Sequence, residues 1–374
     1  MPITVTRRLV KQGTVSDYAP DWSRRIIAVD STGRIYVVVS TGASPPQSNK
    51  DIILMYSDNE GVSWSEETIV SGDYYKYWVC LAIDSNDDLH VVYTCEIDST
   101  PWMAKYLKGT PGSWSAVETI DATNMMIGFD LAIDSNDVPH VVTRQTIAGV
   151  YYIRHYWRDG AWSVETVFTD ASYYSSDPML AIDEDDKLHL TYMYDTGDRP
   201  IQYRQKPSGG SWSAAETAIA SPGRSFRSFV ATDGDKDIHV VAEMGLMGRY
   251  NKRAAGGGWD GEEDVKADSD GPGAFPVLSI DLVGNIWCTG AQHRFWKERG
   301  EGSWVEMTEN NGDTRQYTTG AIVAQPSAVS VRIPSFAILP GKCYHVYFDG
   351  DSFRGCWLLI QDAGMPARSQ AHVI

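Results

Sequence analysis

Short apolar runs recur along the chain at a near-constant spacing, and the polar residues between them recur with the same period. Lining up Ile27-Ala-Val-Asp, Leu81-Ala-Ile-Asp, Leu131-Ala-Ile-Asp, Leu180-Ala-Ile-Asp, Val230-Ala-Thr-Asp, Leu278-Ser-Ile-Asp and Phe336-Ala-Ile-Leu gives steps of 54, 50, 49, 50, 48 and 58 residues. Runs this short, bounded by turn formers, read as strands, and a fixed period in this range marks a repeat architecture. Nine residues after each start stands Tyr36, His90, His140, His189, His239, Trp287 or His345, followed by a second apolar run. Turn formers such as Asp84-Ser-Asn-Asp lie between the two runs, so each unit opens with a β-hairpin of strands a and b. A third run centres on Tyr56, Tyr106, Tyr156, Tyr203, Tyr250 and Phe295, and six to nine residues later comes a tryptophan: Trp64, Trp114, Trp162, Trp212, Trp259, Trp304. Behind it the polar and apolar residues alternate, as in Trp64-Ser-Glu-Glu-Thr-Ile, which is the period of an outer strand with one wet face.

Four antiparallel strands per unit, repeated radially, predict an all-β fold: a single seven-bladed β-propeller domain over residues 1–374. The blades are expected near 22–70, 78–121, 129–169, 177–220, 227–267, 275–309 and 332–361. The seventh unit offers strands near 336–339, 344–348 and 355–360 but no tryptophan-led fourth strand. Residues 3–10 stand before Tyr18 and Trp22 as Ser65-Glu-Glu-Thr-Ile-Val stands before Tyr74 and Trp78. The N-terminal strand is therefore expected to complete the last blade and remove the open sheet edge at the seam.

Composition narrows the partners. With 49 Asp and Glu against 32 Lys and Arg the net charge is −17, a field that repels a phosphate backbone, so nucleic acid is not an expected partner. The five cysteines (Cys80, Cys95, Cys288, Cys343, Cys356) show no C-x-x-C spacing and several sit in strand-like runs, so they are expected to be reduced and buried. No apolar run reaches 18 residues, so no membrane insertion is expected, and residues 1–8 lack the apolar core of a signal peptide. The expected location is the cytoplasm, or release by lysis or within a virus particle. No phosphate-binding loop, dinucleotide or zinc-hydrolase motif occurs, and no cofactor is expected. The acidic a–b turns, such as Asp183-Glu-Asp-Asp186, lack the glycine and bidentate glutamate of a calcium loop, so they read as turn formers and no metal is expected.

The segment Ser57-Asp-Asn-Glu-Gly-Val-Ser-Trp64 resembles the Asp box, or BNR repeat, of sialidase-type propellers, with Asn59 in the Asp place. Gly112-Ser-Trp, Gly210-Ser-Trp and Gly302-Ser-Trp keep only its end. The resemblance implies a sialidase-like propeller with these motifs on the c–d turns, away from the binding face, and it implies no particular activity. Val331-Arg-Ile-Pro resembles the R-I-P segment that opens a sialidase's first blade, which would give Arg332 the role of binding a substrate carboxylate. Here it opens the last unit, and the remaining catalytic residues of that family have no counterparts.

Function is expected on the d–a loops, which are rich in rings and charge: Trp22 and Arg25, Tyr77 and Trp78, Tyr174, Arg227, and Arg332. Flat rings that stack on sugars, beside groups that bind hydroxyls or acid substituents, suit a glycan or polysaccharide. Arg25, Arg227 and Arg332 each precede a strand a and are expected to clamp one carboxylate together. The recurring His column reads as structural, whereas His155 stands off it and is the candidate general base, with Tyr152 or Tyr151 as acid, in a uronate lyase. Three readings result: a carbohydrate-recognising propeller for attachment or receptor binding, a glycan-active enzyme of the sialidase or lyase kind, and a structural component of a virus-like assembly.

Overall fold

The computed structural model describes residues 4–12, 25–40, 51–72, 75–96, 102–122, 126–220, 225–244, 247–265, 276–280, 284–289, 294–299, 302–306, 320–324, 342–349 and 355–362. All regular structure in them is strand, paired into seven antiparallel sheets. The first sheet is Ile27–Val29, Ile35–Ser40, Ile52–Ser57 and Ser65–Val70. The second is Tyr75–Ile83, Leu89–Glu96 and Met103–Thr110, with its outer strand in two pieces, Ser113–Trp114 and Glu118–Thr119. The third is Met126–Ile133, Pro139–Ile147, Val150–Asp159 and Ala161–Asp170. The fourth is Ser175–Ile182, Leu188–Tyr194, Ile201–Lys206 and Glu216–Ile219, and the fifth Ser225–Thr232, Ile238–Met244, Met247–Arg253 and Glu263–Asp264. The sixth is Val277–Ile280, Ile286–Thr289, Arg294–Lys297 and Val305–Glu306.

The seventh sheet is closed by the chain's own beginning. Thr4–Gln12 lies antiparallel to Gly355–Asp362, with Thr4 opposite Asp362. Its first strand corrects the sequence reading: it is Gly320–Ala324, paired to Lys342–Asp349 with Ile322 opposite His345, and not residues 336–339. Both segments carry an apolar run before a histidine. The ladder selects the earlier one, so Arg332 falls between strands a and b and does not open the unit.

The first strands of neighbouring sheets touch in a closed cycle, from sheet one through sheet seven and back to one. Radial sheets around a central axis form a propeller. Inner strands are packed on both faces by adjacent sheets, which is why Ile35–Ser40 is buried along its whole length, while every position of the outer Ser65–Val70 is exposed or half-buried.

Two recurring devices hold neighbours together. In the a–b turns of the first five sheets an aspartate folds the turn on itself: Oδ1 of Asp84 accepts from the amides of Asn86 at 2.9 Å and Asp88 at 3.0 Å, and Asp30, Asp134, Asp183 and Asp233 do the same. A second aspartate in the turn, held at positive φ, accepts from the serine of the preceding turn: Asp87 from Ser31, Asp137 from Ser85, Asp186 from Ser135. These acidic turns spend their oxygens on amides, hydroxyls and the column histidines, with Lys108 also donating to Asp84. On the same face four members of the tryptophan column, Trp114, Trp162, Trp212 and Trp304, latch onto a glutamate of the preceding sheet. Trp162 Nε1 donates to Glu118 of the preceding sheet at 3.2 Å and its ring meets Tyr106 edge-on at 5.2 Å; Trp212 uses Glu165 and Trp304 uses Glu263. Cys80, Cys95 and Cys288 are buried thiols outside any disulfide.

Candidate functional site

The d–a and b–c connections meet on the face opposite these turns. Four successive sheets break register near the start of strand a, around Trp78, Gly128, Asp177 and Arg227, which are equivalent positions in the repeat. A bulge takes its extra residue out of the ladder and re-aims the side chain. Glycine accepts the left-handed backbone this needs, but Trp78 adopts it too, at φ 37°, and Asp177 at φ 52°. Trp78 thereby meets Trp102, from the b–c connection of the same sheet, with ring centroids 4.7 Å apart, both half-buried.

Tyr174 lies at the adjoining rim, edge-on to Tyr151 at 5.3 Å and beneath the Arg144 guanidinium at 4.8 Å. Arg144 sits at the end of strand b and was missed by sequence reasoning. Tyr77 lies in strand Tyr75–Ile83 opposite Thr94, but its side chain is outside the described residues, as are Trp22 and Arg332 altogether.

The expected three-arginine clamp is not available. Arg25 crosses the centre of the ring: its Nε donates to Asp130 at 2.8 Å, its Nη2 to the Leu180 carbonyl at 2.7 Å, and its guanidinium lies over Phe229 at 4.6 Å. Its own carbonyl accepts from Leu81 at 2.7 Å, so this residue ties the first sheet to the second, third, fourth and fifth. Arg227 donates to Glu243 at 2.9 Å, with both side chains largely buried. Each is engaged in a charge-assisted pair that a ligand would have to break.

His155 is corrected as well. By ladder register it lies opposite Val142, as Tyr106 lies opposite Val92 and Tyr203 opposite Thr191. It thus occupies the tyrosine place that Tyr156 fills by letter, and it does what the tyrosines do. Tyr106, Tyr203 and Tyr250 bring a hydroxyl to Nδ1 of the column histidine at 2.7 to 2.9 Å; His155 Nε2 meets His140 Nδ1 at 2.9 Å. Its other nitrogen faces Glu165 at 2.8 Å, and Trp212 packs edge-on at 5.7 Å. The side chain is 1% exposed, and burial pushes the imidazole down to about 4, so it is neutral at pH 7. Glu165 and His140 thus occupy both ring nitrogens, and neither is open to a substrate. Burial works against the Glu165 charge, but hydrogen bonds from His155 and Lys206 overcome it and hold the carboxyl down at about 2. Tyr152 lies on the opposite face of the sheet, beneath Arg154 at 5.1 Å, because residues three apart on a strand point opposite ways. The two do not form a catalytic pair.

No family model and no curated protein sequence matches the chain. Solved structures do. The BP39L lectin from Burkholderia pseudomallei superposes with a TM-score of 0.66 at 11% identity, over 92% of this chain and 97% of the lectin. The polysaccharide lyase Uly1 gives 0.57 at 11% identity, over 92% and 91%. A sialidase from Trypanosoma rangeli gives 0.52 at 10% identity, over 96% of this chain and 60% of that one. At such identities the likeness is one of fold.

Proposed function

We propose that this chain is a seven-bladed, sialidase-like propeller that recognises a carbohydrate on the d–a and b–c face, through rings of its second to fourth sheets. The observation that carries the reading is Trp78. A bulky residue in left-handed backbone costs on the order of 1–3 kcal/mol, and strain of that kind is retained where a site needs the side chain. The equivalent position in the next sheet is Gly128, so the fold alone does not require a ring there. The strain sets two indoles side by side on the same d–a and b–c face as the Tyr151–Tyr174 pair, rings suited to the apolar faces of sugars. Lectin, lyase and sialidase structures of the same fold, each named for a carbohydrate function, support a glycan or polysaccharide partner. Recognition without chemistry is favoured over the lyase reading because His155 is sealed inside its sheet.

Replacing Trp78 by Gly separates the two roles. Strain relief offsets the lost packing, so stability should change by no more than about 1 kcal/mol, while binding to the best ligand of a glycan array should fall about tenfold. An array on which the wild-type protein binds nothing, or undiminished binding by the variant, would sink the reading.

A further inference from the structure

Among the described residues Arg144 is a charged group without a hydrogen-bonding or ion-pair partner. Among the described residues its side chain donates no hydrogen bond and forms no ion pair; its Nε is buried and unpaired, and its guanidinium lies over the Tyr174 ring. A guanidinium does not shed its proton to escape burial. Burial pulls its pKa below the usual arginine value, with Asp177 and Tyr151 only partly opposing the shift. In a chain of net charge −17, where Arg158 pairs with Glu118 and Arg253 with Glu216, a half-buried cation with no carboxylate in ion-pair reach among the described residues asks for an explanation. Tyr174 holds one face of the fork, while Tyr151, on the same face of the sheet, packs against that ring. The planar donors are thus supported between the third and fourth sheets, toward the same d–a and b–c face as Trp78 and Trp102.

We propose that Arg144 is the seat of an anion-binding subsite that takes the carboxylate or sulfate substituent of an acidic sugar. A bidentate oxyanion matches the guanidinium fork and supplies the missing counter-charge. The inference rests on the carbohydrate reading for the sugar, but not for the anion. The long-range field of the protein disfavours anions, so the subsite selects at contact, and its preference weakens with salt.

The test compares a glucuronate-containing oligosaccharide, its carboxyl-reduced neutral form and a sulfated neutral counterpart by calorimetry, with inorganic sulfate followed by thermal shift. Wild-type protein should bind at least one acidic form tenfold or more tightly than the neutral one, and the better acid identifies the substituent. Arg144→Gln should bring that ratio close to one by weakening the acidic form, with a melting temperature close to that of wild type; Arg144→Lys should keep part of the preference. If no sugar binds but sulfate raises the wild-type melting temperature and not that of Arg144→Gln, the subsite stands and the carbohydrate reading falls. The subsite is overturned by equal wild-type affinity for acidic and neutral sugars, by a preference that survives in Arg144→Gln, by the absence of any response to sugars and sulfate alike, or by an Arg144→Gln protein that unfolds or melts much lower.

Discussion

Where Tyr106, Tyr203 and Tyr250 bring a phenol to the column histidine, the third sheet brings a second imidazole, His155, and the exchange adds a group that titrates in the acid range. The unfolded chain takes up that proton near pH 6.5, the native one near 4. Between those values the unfolded state binds more protons, so stability is complete above about 6.5 and declines as pH falls through the window, by an upper bound of about 3 kcal/mol. His155→Tyr should fold, place its hydroxyl on His140, and make the loss between pH 7 and 4.5 smaller than in wild type. Urea unfolding at the two pH values measures it, and equal losses in both proteins would contradict the assignment. A shallower slope remains, because burial also lowers His90 and His189. The sequence misled here for a definite reason. Letter matching placed Tyr156 in the tyrosine column, whereas hydrogen-bond register, which no letter records, placed His155 there.

At the scale of the element, the tryptophan turn is the unit that fastens one sheet to the next. Trp162→Ala would remove both the edge-on contact with Tyr106 and the donor to Glu118. It should cost about 3–5 kcal/mol in denaturant unfolding, whereas Trp162→Phe, which loses the donor alone, should cost about 1 kcal/mol. An alanine variant within 1 kcal/mol of wild type would mean the ring fastens nothing. This architecture was readable in the chain because each inner strand is covered on both sides and so needs an unbroken apolar run, while each outer strand needs alternation. The strand Gly320–Ala324 escaped because residues 336–339 satisfy the same pattern, and only pairing to Lys342–Asp349 distinguishes them. Candidate site residues were less legible. Trp78 and Tyr174 stood out as rings in loops, but the lack of a partner at Arg144, and its presence at Arg25 and Arg227, are properties of approach in space.

For the whole molecule, the decisive contact is the one between its ends. Deleting residues 1–12 exposes Gly355–Asp362 as an open sheet edge, a template for unwanted pairing. The truncated protein should melt well below the full chain and associate in size-exclusion chromatography, and a peptide of residues 1–12 should partly restore it. Unchanged melting would remove the strand from the ring. The same contact sets an order of events at the ribosome. Every other sheet can pair within one short stretch of nascent chain, but Thr4–Gln12 is made early and its partner Gly355–Asp362 near the end. At about 5–20 residues per second the early strand waits on the order of half a minute, unpaired, while six sheets assemble beside it. Its sequence suits that wait: Arg7, Arg8 and Lys11 stud a strand that also carries Val5, Leu9 and Val10, and charges on an unpaired edge discourage partners other than the one still to be made.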